Sequence, residues 1–457
     1  MLTAGTVVTV VALAGAAAVV LSLPRWLPGR VVALRMRVFA GINGDESITV
    51  PGDLVGVDRF KEVYSHPAAC GRSRGAALSD LFWYWLSPGP EIHQEHLEPG
   101  ERYDAVALAT RRVLSVPRER AEELARRCVT RALRRGPGTV RLRDLMMPVW
   151  AEFYYELVFG DPCPPDAREL IVGNANDVVT ALKCCGLRHM DRRERLTGYL
   201  VERLPRVRHE LPAGLTERER ALYLQGAFFN TAVVQMSEAT AHVLMALAQH
   251  PDVRARARAG DDRYLDQVIA ETLRLYPLFG VAHRITDGDI ALGDGVTIPA
   301  GSVLCFDYPE FHRAGFADPG RFDPGRFAPG HPPVRELNHI PFGVSANRPC
   351  PAWRLAPITL RVAVRETLRA YELESTASHT RSLPNRGPCL LTPLDALPGP
   401  GRRPVLLYMR FRDGWEDVWR SLVQLVLGTY MVWDARRLRM CESHFAGGPP
   451  PVVPGRS

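Results

Sequence analysis

The sequence predicts a mainly α fold with a small β region. The helices are predicted from the periodic spacing of apolar residues and from the prolines at which that spacing starts or stops. Residues Tyr264–Tyr276 have the apolar spacing of an amphipathic helix, and Pro277 ends it. The residues after Pro351 are compatible with a helix to about Tyr371, because proline is tolerated in a first helical turn, where its missing N–H would be unpaired anyway. A further helix is expected at 414–440.

One cysteine lies in a loop shaped by glycine and proline, just before the second of these helices. The loop runs from Pro341 to Leu355 and contains Cys350. A helix N-terminus favours a thiolate over a thiol, and a thiolate is the form that binds a haem iron. Arg348, which precedes the cysteine in the same loop, could reach a haem propionate. The alternative is a buried structural cysteine in a turn, since free cysteine is among the most buried residue types.

A second group of residues favours the haem interpretation. Glu271 and Arg274 lie on one face of the helix that Pro277 ends, where they alone would be an ordinary surface ion pair. Arg326 follows in a proline-rich segment, 24 residues before Cys350. A glutamate, two arginines and a cysteine loop, in this order and at about this spacing, resemble the cytochrome P450 superfamily of haem-thiolate enzymes.

The resemblance implies a cytochrome P450-like triangular fold over residues 50–394, with haem b as the cofactor. Cys350 would be the axial iron ligand, in a loop that begins near Phe342. Arg348 and Arg284 would bind the haem propionates, and an exposed strand arginine is the alternative for Arg284.

The resemblance also assigns structural roles. Glu271, Arg274 and Arg326 would form the family's buried salt-bridge cluster, which is costly to desolvate unless all its members are paired. Residues 288–303 would form a small antiparallel hairpin, and residues 382–391 would belong to the terminal hairpin that closes the substrate pocket.

The cysteine loop and the third helix depart from the family pattern. The interval from Phe342 to Cys350 is one residue longer than usual, and Ala352 replaces a glycine, so hydrogen bonding to the sulfur is expected to differ. Tyr103 and Ala107 replace the family's histidine and arginine on the helix that faces the haem. Propionate binding must then depend more on Arg284 and Arg348, or on Arg111 or Arg112 instead.

The distal helix departs further. It is expected at about 218–250, and its register gives Val234 and Gln235 where most monooxygenases of the family have an acid followed by an alcohol. That pair relays protons, which valine cannot do, although Gln235 could hold a water. The other candidates for the relay are Thr231, Ser237 and Glu238. The alternative for the last two is that they face solvent or a neighbouring helix.

The N-terminus predicts a membrane anchor. Residues 1–23 carry no charge and are long enough to cross a bilayer of about 30 Å as a helix. A connector is expected at 24–49, stiffened by Pro24 and Pro28. Its arginines are expected to keep the haem domain in the cytoplasm under the positive-inside rule. A cleaved secretory signal is the alternative.

The C-terminal part is expected to be an addition to the fold. Residues 395–413 are interpreted as a Pro/Gly-rich linker and connector, 414–440 as an additional amphipathic helix and 441–457 as a disordered tail. The helix would lie on the membrane surface or dock onto the enzyme domain.

Composition limits the function classes. Of the 57 basic residues only Lys61 and Lys183 are lysine, which indicates a genomic bias towards G and C rather than nucleic-acid binding. The nine scattered cysteines fit a reducing compartment better than a disulfide framework.

The predicted function is a haem-thiolate monooxygenase that oxidises a small organic substrate, in bacterial specialised metabolism. A ferredoxin or flavoprotein electron donor would dock on a basic face formed by Arg354, Arg361, Arg365 and Arg369. The altered distal pair leaves two alternatives open: a haem-thiolate isomerase, dehydratase or peroxide-using enzyme, and a non-catalytic haem protein that binds a partner.

Overall fold

The computed structural model describes residues 4–44, 47–71, 77–134, 138–293, 295–330, 336–395 and 401–446. The α-helices are α1 (Ala4–Asn43), α2 (Phe60–Ser65), α3 (Ala77–Leu86), α4 (Glu101–Leu114), α5 (Arg118–Leu133), α6 (Leu142–Phe159), α7 (Pro165–Leu182), α8 (Met190–Arg203), α9 (Glu217–Leu224), α10 (Val233–Gln249), α11 (Pro251–Ala259), α12 (Asp262–Leu275), α13 (Tyr308–Arg313), α14 (Leu355–Ala370), α15 (Arg402–Leu438) and α16 (Met440–Phe445). The strands are β1 (Ser47–Val50), β2 (Gly138–Arg141), β3 (Val281–Ile285), β4 (Ile290–Gly293), β5 (Val296–Ile298), β6 (Val303–Asp307), β7 (Tyr371–Glu374) and β8 (Pro388–Pro393).

The strands of the described residues form small sheets at the edge of the helical body. Strand β6 lies between β1, which is parallel to it, and β3, which is antiparallel. The antiparallel order β2-β8-β7 forms a second sheet, and β4 and β5 form the hairpin predicted within 288–303. The fold is therefore mainly α with a small β region, as the sequence predicts.

The main core lies between α5, α6, α10 and α14. Apolar side chains from all four helices belong to one buried cluster. Trp150 on α6 is fully buried, and its Nε1 donates to Thr240 Oγ1 on α10 at 3.1 Å. A fully buried large apolar side chain contributes about 1.5–3 kcal/mol. This bundle holds the distal helix against the helix that follows the cysteine loop.

The distal helix begins and ends within a residue of its predicted bounds. Thr216 and Glu219 form a reciprocal capping box at its start, so α9 begins at Glu217. The helix continues through a π-helical segment, Gln225–Ala232, into α10, which ends at Gln249. π-helical segments are rare, and those that do occur are often found at functional sites.

The helix after the cysteine loop begins later than predicted. Residues Pro351–Arg354 form turns, and α14 starts at Leu355. Trp353 N–H donates to Cys350 O at 3.2 Å, so the cysteine lies about one turn before the helix rather than at its first residue. The expectation that Cys350 faces the helix N-terminus directly is therefore wrong.

The connector predicted at 24–49 is wrong over most of its length. Helix α1 continues through Pro24 and Pro28 to Asn43, and strand β1 starts at Ser47, so the first sheet begins before residue 50. Pro24 packs against α15 at Gly414, where an added Cβ would lie 3.3 Å from the proline ring. Pro24 and Pro28 alone would be expected to interrupt α1. The helix nevertheless continues through both prolines, and it packs against α15 there.

The C-terminal boundaries are also wrong. Helix α15 begins at Arg402 inside the predicted linker, and Gly414 lies within the helix instead of starting it. Gly428 is a second close approach, because an added Cβ there would lie 2.7 Å from the Phe39 ring of α1. The contacts of Pro24 with Gly414 and of Phe39 with Gly428 make α1 and α15 run parallel.

Helix α15 is docked on α3. Met431, Val432 and Ala435 are buried with Trp83 and Trp85 of α3 in a cluster separate from the main core. Helix α16 belongs to the same cluster, so the predicted tail 441–457 begins with ordered residues; its part from 447 onward lies outside the described residues. Residues 1–3 and 396–400 lie outside them as well.

Candidate functional site

The cysteine loop is closed by backbone hydrogen bonds. Cys350 N–H donates to Phe342 O at 2.9 Å, and a bridge joins Val344 to Asn347. This tight turn leaves its two central residues exposed, and it accommodates the extra residue between Phe342 and Cys350. Arg348 then has a φ of 48°, in the left-handed region that non-glycine residues rarely occupy.

Cys350 is half-buried, and its sulfur accepts a hydrogen bond from the Ala352 N–H. Burial raises the pKa of the thiol to about 11; the Ala352 N–H lowers this pKa, and the nearby Glu95 carboxylate raises it. The expectation that the helix N-terminus favours the thiolate is therefore wrong for the haem-free chain. An iron ion would have to displace the proton on binding.

Two arginines converge near the cysteine. Arg284 on β3 is fully buried, so the exposed-strand alternative is wrong. Its Nη2 lies 3.4 Å from Glu95 Oε1 and 3.4 Å from Tyr64 Oη, and its Nε has no hydrogen-bond partner among the described residues. Arg348 lies over the Tyr103 ring, with 4.8 Å between its Cζ and the ring centroid.

Backbone carbonyls hold Arg348. Its Nη1 donates to Gln94 O at 2.6 Å, and its Nη2 donates to Cys70 O at 2.9 Å and Leu97 O at 2.8 Å. The segment around Glu95 is thus fixed against both arginines. A propionate at Arg348 would have to replace one of these carbonyls.

The predicted ion cluster contains one strong pair and one weaker contact. Arg274 binds Glu271 through two hydrogen bonds, Nε to Oε2 at 2.6 Å and Nη2 to Oε1 at 2.9 Å, and both residues are fully buried. The surface-pair alternative is therefore wrong. Arg326 lies farther away, with its Nε 3.5 Å from Glu271 Oε1, and it donates to Ala317 O and Asp318 O.

The distal helix exposes one narrow stripe. Ala227, Thr231 and Gln235 are half-buried, whereas most neighbouring positions on the helix are buried. The side chains of Thr231 and Gln235 make no hydrogen bond to another described residue. Val234 is 6% exposed and Gln235 is half-buried, so Gln235 is the more exposed member of the altered pair.

The remaining relay candidates are occupied. Ser237 is fully buried and its hydroxyl donates to Val233 O at 2.6 Å. Glu238 binds Arg143 at 3.1 Å and Lys183 at 2.6 Å, so it faces neighbouring helices. The structure places Thr231 and Gln235 on one stripe and leaves Ser237 and Glu238 off it.

These residues fit a haem. The Cys350 sulfur already accepts a backbone N–H, as a ligating thiolate would, and Arg284 keeps one buried donor without a partner. Phe342 is half-buried against the main core, at the start of the same loop.

Sequence reasoning missed two residues near the cysteine. Glu95 lies in the proline-rich region after α3, which carries no periodic signal. Tyr154 is buried on α6, and the pKa of its phenol is raised by burial and by the neighbouring Cys350. Its place in an aromatic run, Phe153–Tyr155, is equally typical of core packing. Neither position has a local signal that would have identified it.

The comparisons with known sequences agree with the site. Residues 208–396 match the family model Cytochrome P450. The chain is 30% identical over 183 residues to the human mitochondrial 25-hydroxyvitamin D-1 alpha hydroxylase, covering 36% of each protein. It is 29% identical over 187 residues to the probable cytochrome P450 313a4 of Drosophila melanogaster, covering 35% of this chain and 36% of that protein. The matches thus span about a third of the length of these relatives.

Solved structures show the same fold over more of the chain. A variant of cytochrome P450 OleT in complex with arachidonic acid has a TM-score of 0.60 at 17% identity, covering 74% of this chain and 88% of that one. A zebra fish cytochrome P450 with abiraterone has a TM-score of 0.59 at 18% identity, covering 72% and 89%. The chain therefore has the fold of the cytochrome P450 structures, and its residues 208–396 match the model of that family.

Proposed function

We propose that the chain is a haem-thiolate monooxygenase that oxidises a small organic substrate. The observation that carries the proposal is the Cys350 loop, in which the sulfur of this half-buried residue accepts the Ala352 N–H close to two buried arginines. Haem b, when bound, would supply the redox chemistry at an iron to which the thiolate donates electron density. A role in bacterial specialised metabolism is part of the same proposal.

The roles of the chain's own residues follow from their positions. Arg284 and Arg348 would bind the propionates through charge-assisted hydrogen bonds. Gln235 and Thr231 would hold water on the distal stripe, with the amide and the hydroxyl as the groups that donate or accept a proton. Val234 contributes only an apolar surface to this helix.

A ferredoxin or flavoprotein is the proposed electron donor, but the basic face predicted for it is mostly neutralised. Arg361 pairs with Asp266 at 2.8 Å, Arg365 pairs with Asp262 at 2.8 Å, and Arg369 pairs with Glu366 at 2.9 Å. Arg354 instead lies over the exposed Trp353 ring, 4.6 Å from its centroid. We infer that Trp353 and Arg354, which follow Cys350 closely, are the better docking residues.

The test of the haem assignment is spectroscopic. The reduced protein with carbon monoxide should show the absorption band of a thiolate-ligated haem, and Cys350→Ala should abolish it. Cys163→Ala is the matched control, because that half-buried thiol lies outside the loop. Retention of the band in Cys350→Ala would transfer the ligand role to another residue.

Membrane attachment through α1 is the second part of the proposal. Among the described residues, the stretch Val11–Ile42 is long and apolar enough to cross a membrane, and its most apolar part is not covered by the rest of the chain. Large apolar side chains on the outer side of α15 are exposed too, among them Trp419, Val426 and Trp433. With the arginines of the connector taken as cytoplasmic, the haem domain would lie in the cytoplasm.

Deletion of residues 1–22 tests the anchor. It leaves the contact of Pro24 with Gly414 in place, so we expect release from the membrane fraction with unchanged haem content. Membrane binding that persists in the deletion variant but disappears after Trp419→Gln and Trp433→Gln are added would identify α15 as the anchor instead.

A further inference from the structure

One cavity, which does not include the cysteine loop, is lined by cations. It has a volume of about 230 Å³ and lies between α6, α7, the loop before β8 and α15. Its polar lining consists mainly of Arg143, Asn176, Thr180, Lys183, Arg386 and Arg420. Its lining residues include four cations and no carboxylate. The cations come from four different segments of the chain.

The carboxylates that pair with these cations are outside the lining. Glu238 binds both Arg143 and Lys183, as described above. Asp144 binds Arg386 at 2.8 Å. Glu416 accepts from Arg420 Nε at 2.7 Å, and it is shared with Arg141; Asp417 lies near Arg420 as well. The acids thus orient the cations without filling the space that they line.

Two of the lining arginines each have a buried Nε–H group without a hydrogen-bond partner among the described residues. Arg143 is 2% exposed, and its Nε has no hydrogen-bond partner among the described residues. The nearest carboxylate oxygen recorded for this Nε is Asp144 Oδ1, at 3.7 Å, which is beyond hydrogen-bond distance. The Nε of Arg386 has no such partner either. A buried N–H without an acceptor is costly, so these donors favour an anionic ligand.

The cations are also close enough to affect one another. Burial lowers the pKa of Lys183 to about 8, with Arg143 lowering it further and Glu238 opposing. Burial also lowers the pKa of Arg386; Asp144 opposes this, and Arg420 and Arg143 add to it. A bound anion would relieve this mutual repulsion.

We propose that this cavity binds a phosphate group. Guanidinium groups that approach from several directions suit the multiple oxygens of a phosphate better than the single plane of a carboxylate. The phosphate could belong to a soluble phosphate ester or to an anionic lipid headgroup, since α15, which supplies Arg420, packs along the apolar helix α1. The site does not depend on haem binding, so it can be tested on its own.

The test uses the full-length protein in neutral detergent. Binding of inorganic phosphate is measured by isothermal titration calorimetry at constant ionic strength, and binding of phosphatidic acid is measured by flotation with phosphatidylcholine vesicles that contain or lack it. The variants are Arg386→Gln and Arg420→Gln. Both side chains are partly exposed, so both variant proteins should fold. Arg112→Gln is the matched control, because that arginine is exposed and pairs with Glu210.

We expect the dissociation constant for phosphate to rise at least tenfold in each pocket variant and to change less than twofold in Arg112→Gln. Phosphatidic acid dependence that is lost with the pocket variants would identify a lipid source, and phosphate binding without it would identify a soluble source. Equal heats with chloride, or phosphate binding that survives in the Arg386→Gln/Arg420→Gln double variant, would overturn the proposal.

Discussion

Glu95 Oε1 lies 3.4 Å from Nη2 of Arg284, so a carboxylate of the chain itself stands beside the buried arginine that is proposed to bind a haem propionate. Glu95 comes from a segment whose carbonyl groups, at Gln94 and Leu97, also bind Arg348. One short segment therefore occupies both proposed propionate-binding arginines.

This contact predicts that Glu95 competes with haem. Glu95→Gln should increase the affinity of the haem-free protein for haem several-fold, because an amide carries no charge to hold Arg284. Haem titration followed by absorption measures the effect. Glu101→Gln, at the exposed start of α4, is the control. Weaker haem binding in Glu95→Gln would mean that the carboxylate instead positions Arg284 for the propionate.

The ion pair of Glu271 and Arg274 predicts a large effect on folding. Removing one partner of a buried pair costs about 3–5 kcal/mol, because a buried charge is left without compensation. Glu271→Ala should therefore give little soluble, haem-loaded protein. Arg326→Ala should be milder, since the side chain of Arg326 is partly exposed and its Nε lies 3.5 Å from Glu271.

Yield, haem content and melting temperature measure both variants. Glu366→Ala, which removes the partner of the exposed Arg369, is the control for loss of an ordinary pair. Equal behaviour of Glu271→Ala and Glu366→Ala would show that the buried pair contributes no more than a surface one.

The parts of the fold that the sequence predicts well carry local signals. The distal helix begins at a Thr216–Glu219 capping box, and α12 has an amphipathic pattern that Pro277 ends. The ion pair of Glu271 and Arg274 lies within one helical turn, so its partners follow from spacing alone.

The parts that the sequence predicts poorly depend on contacts between distant segments. Pro24 and Gly414 both suggest breaks in a helix when each is considered alone, yet they pack against each other inside two continuous helices. Glu95 has no periodic neighbours, and its place beside Arg284 depends on a contact across 189 positions. No local pattern contains that information.

Two buried histidines predict a loss of stability in acid. His242 Nδ1 lies 2.9 Å from His379 Nε2, and burial lowers the pKa of both imidazoles, that of His242 to about 3 and that of His379 to about 2. Lys183 and Arg381 lower the pKa of His242 further. Below about pH 6.5 the unfolded chain binds protons that the folded chain does not, so stability should fall with pH.

Well below pH 6.5, each such histidine lowers the free energy of unfolding by about 1.4 kcal/mol for every pH unit. His379→Gln should keep a hydrogen-bonding side chain and reduce the loss of stability between pH 7.5 and pH 5.5. Thermal unfolding at the two pH values measures it, with the exposed His189→Gln as control. An unchanged pH dependence in His379→Gln would show that other groups cause the acid sensitivity.

The distal helix predicts poor proton delivery. Glu238 is bound by two cations, Ser237 donates to the backbone, and Val234 has no polar atom, so only Thr231 and Gln235 offer polar groups on the exposed stripe. We expect weak coupling of reductant consumption to product with a generic substrate. Hydrogen peroxide, which already carries two protons, should support turnover better than dioxygen with an electron donor.

The polar groups of the stripe, on Thr231 and Gln235, can be removed without changing the buried Ser237 and Glu238. Thr231→Val combined with Gln235→Leu should lower the coupling further while leaving peroxide-supported turnover within about twofold, because water held by these two groups would be the remaining proton source. Ser237→Ala is the control, since its hydroxyl is buried and bonded within the helix. The ratio of product formed to reductant consumed measures the effect. Tight coupling in the unaltered protein that is lost in Ser237→Ala or Glu238→Gln would place the relay on those residues and show that Thr231 and Gln235 do not carry it.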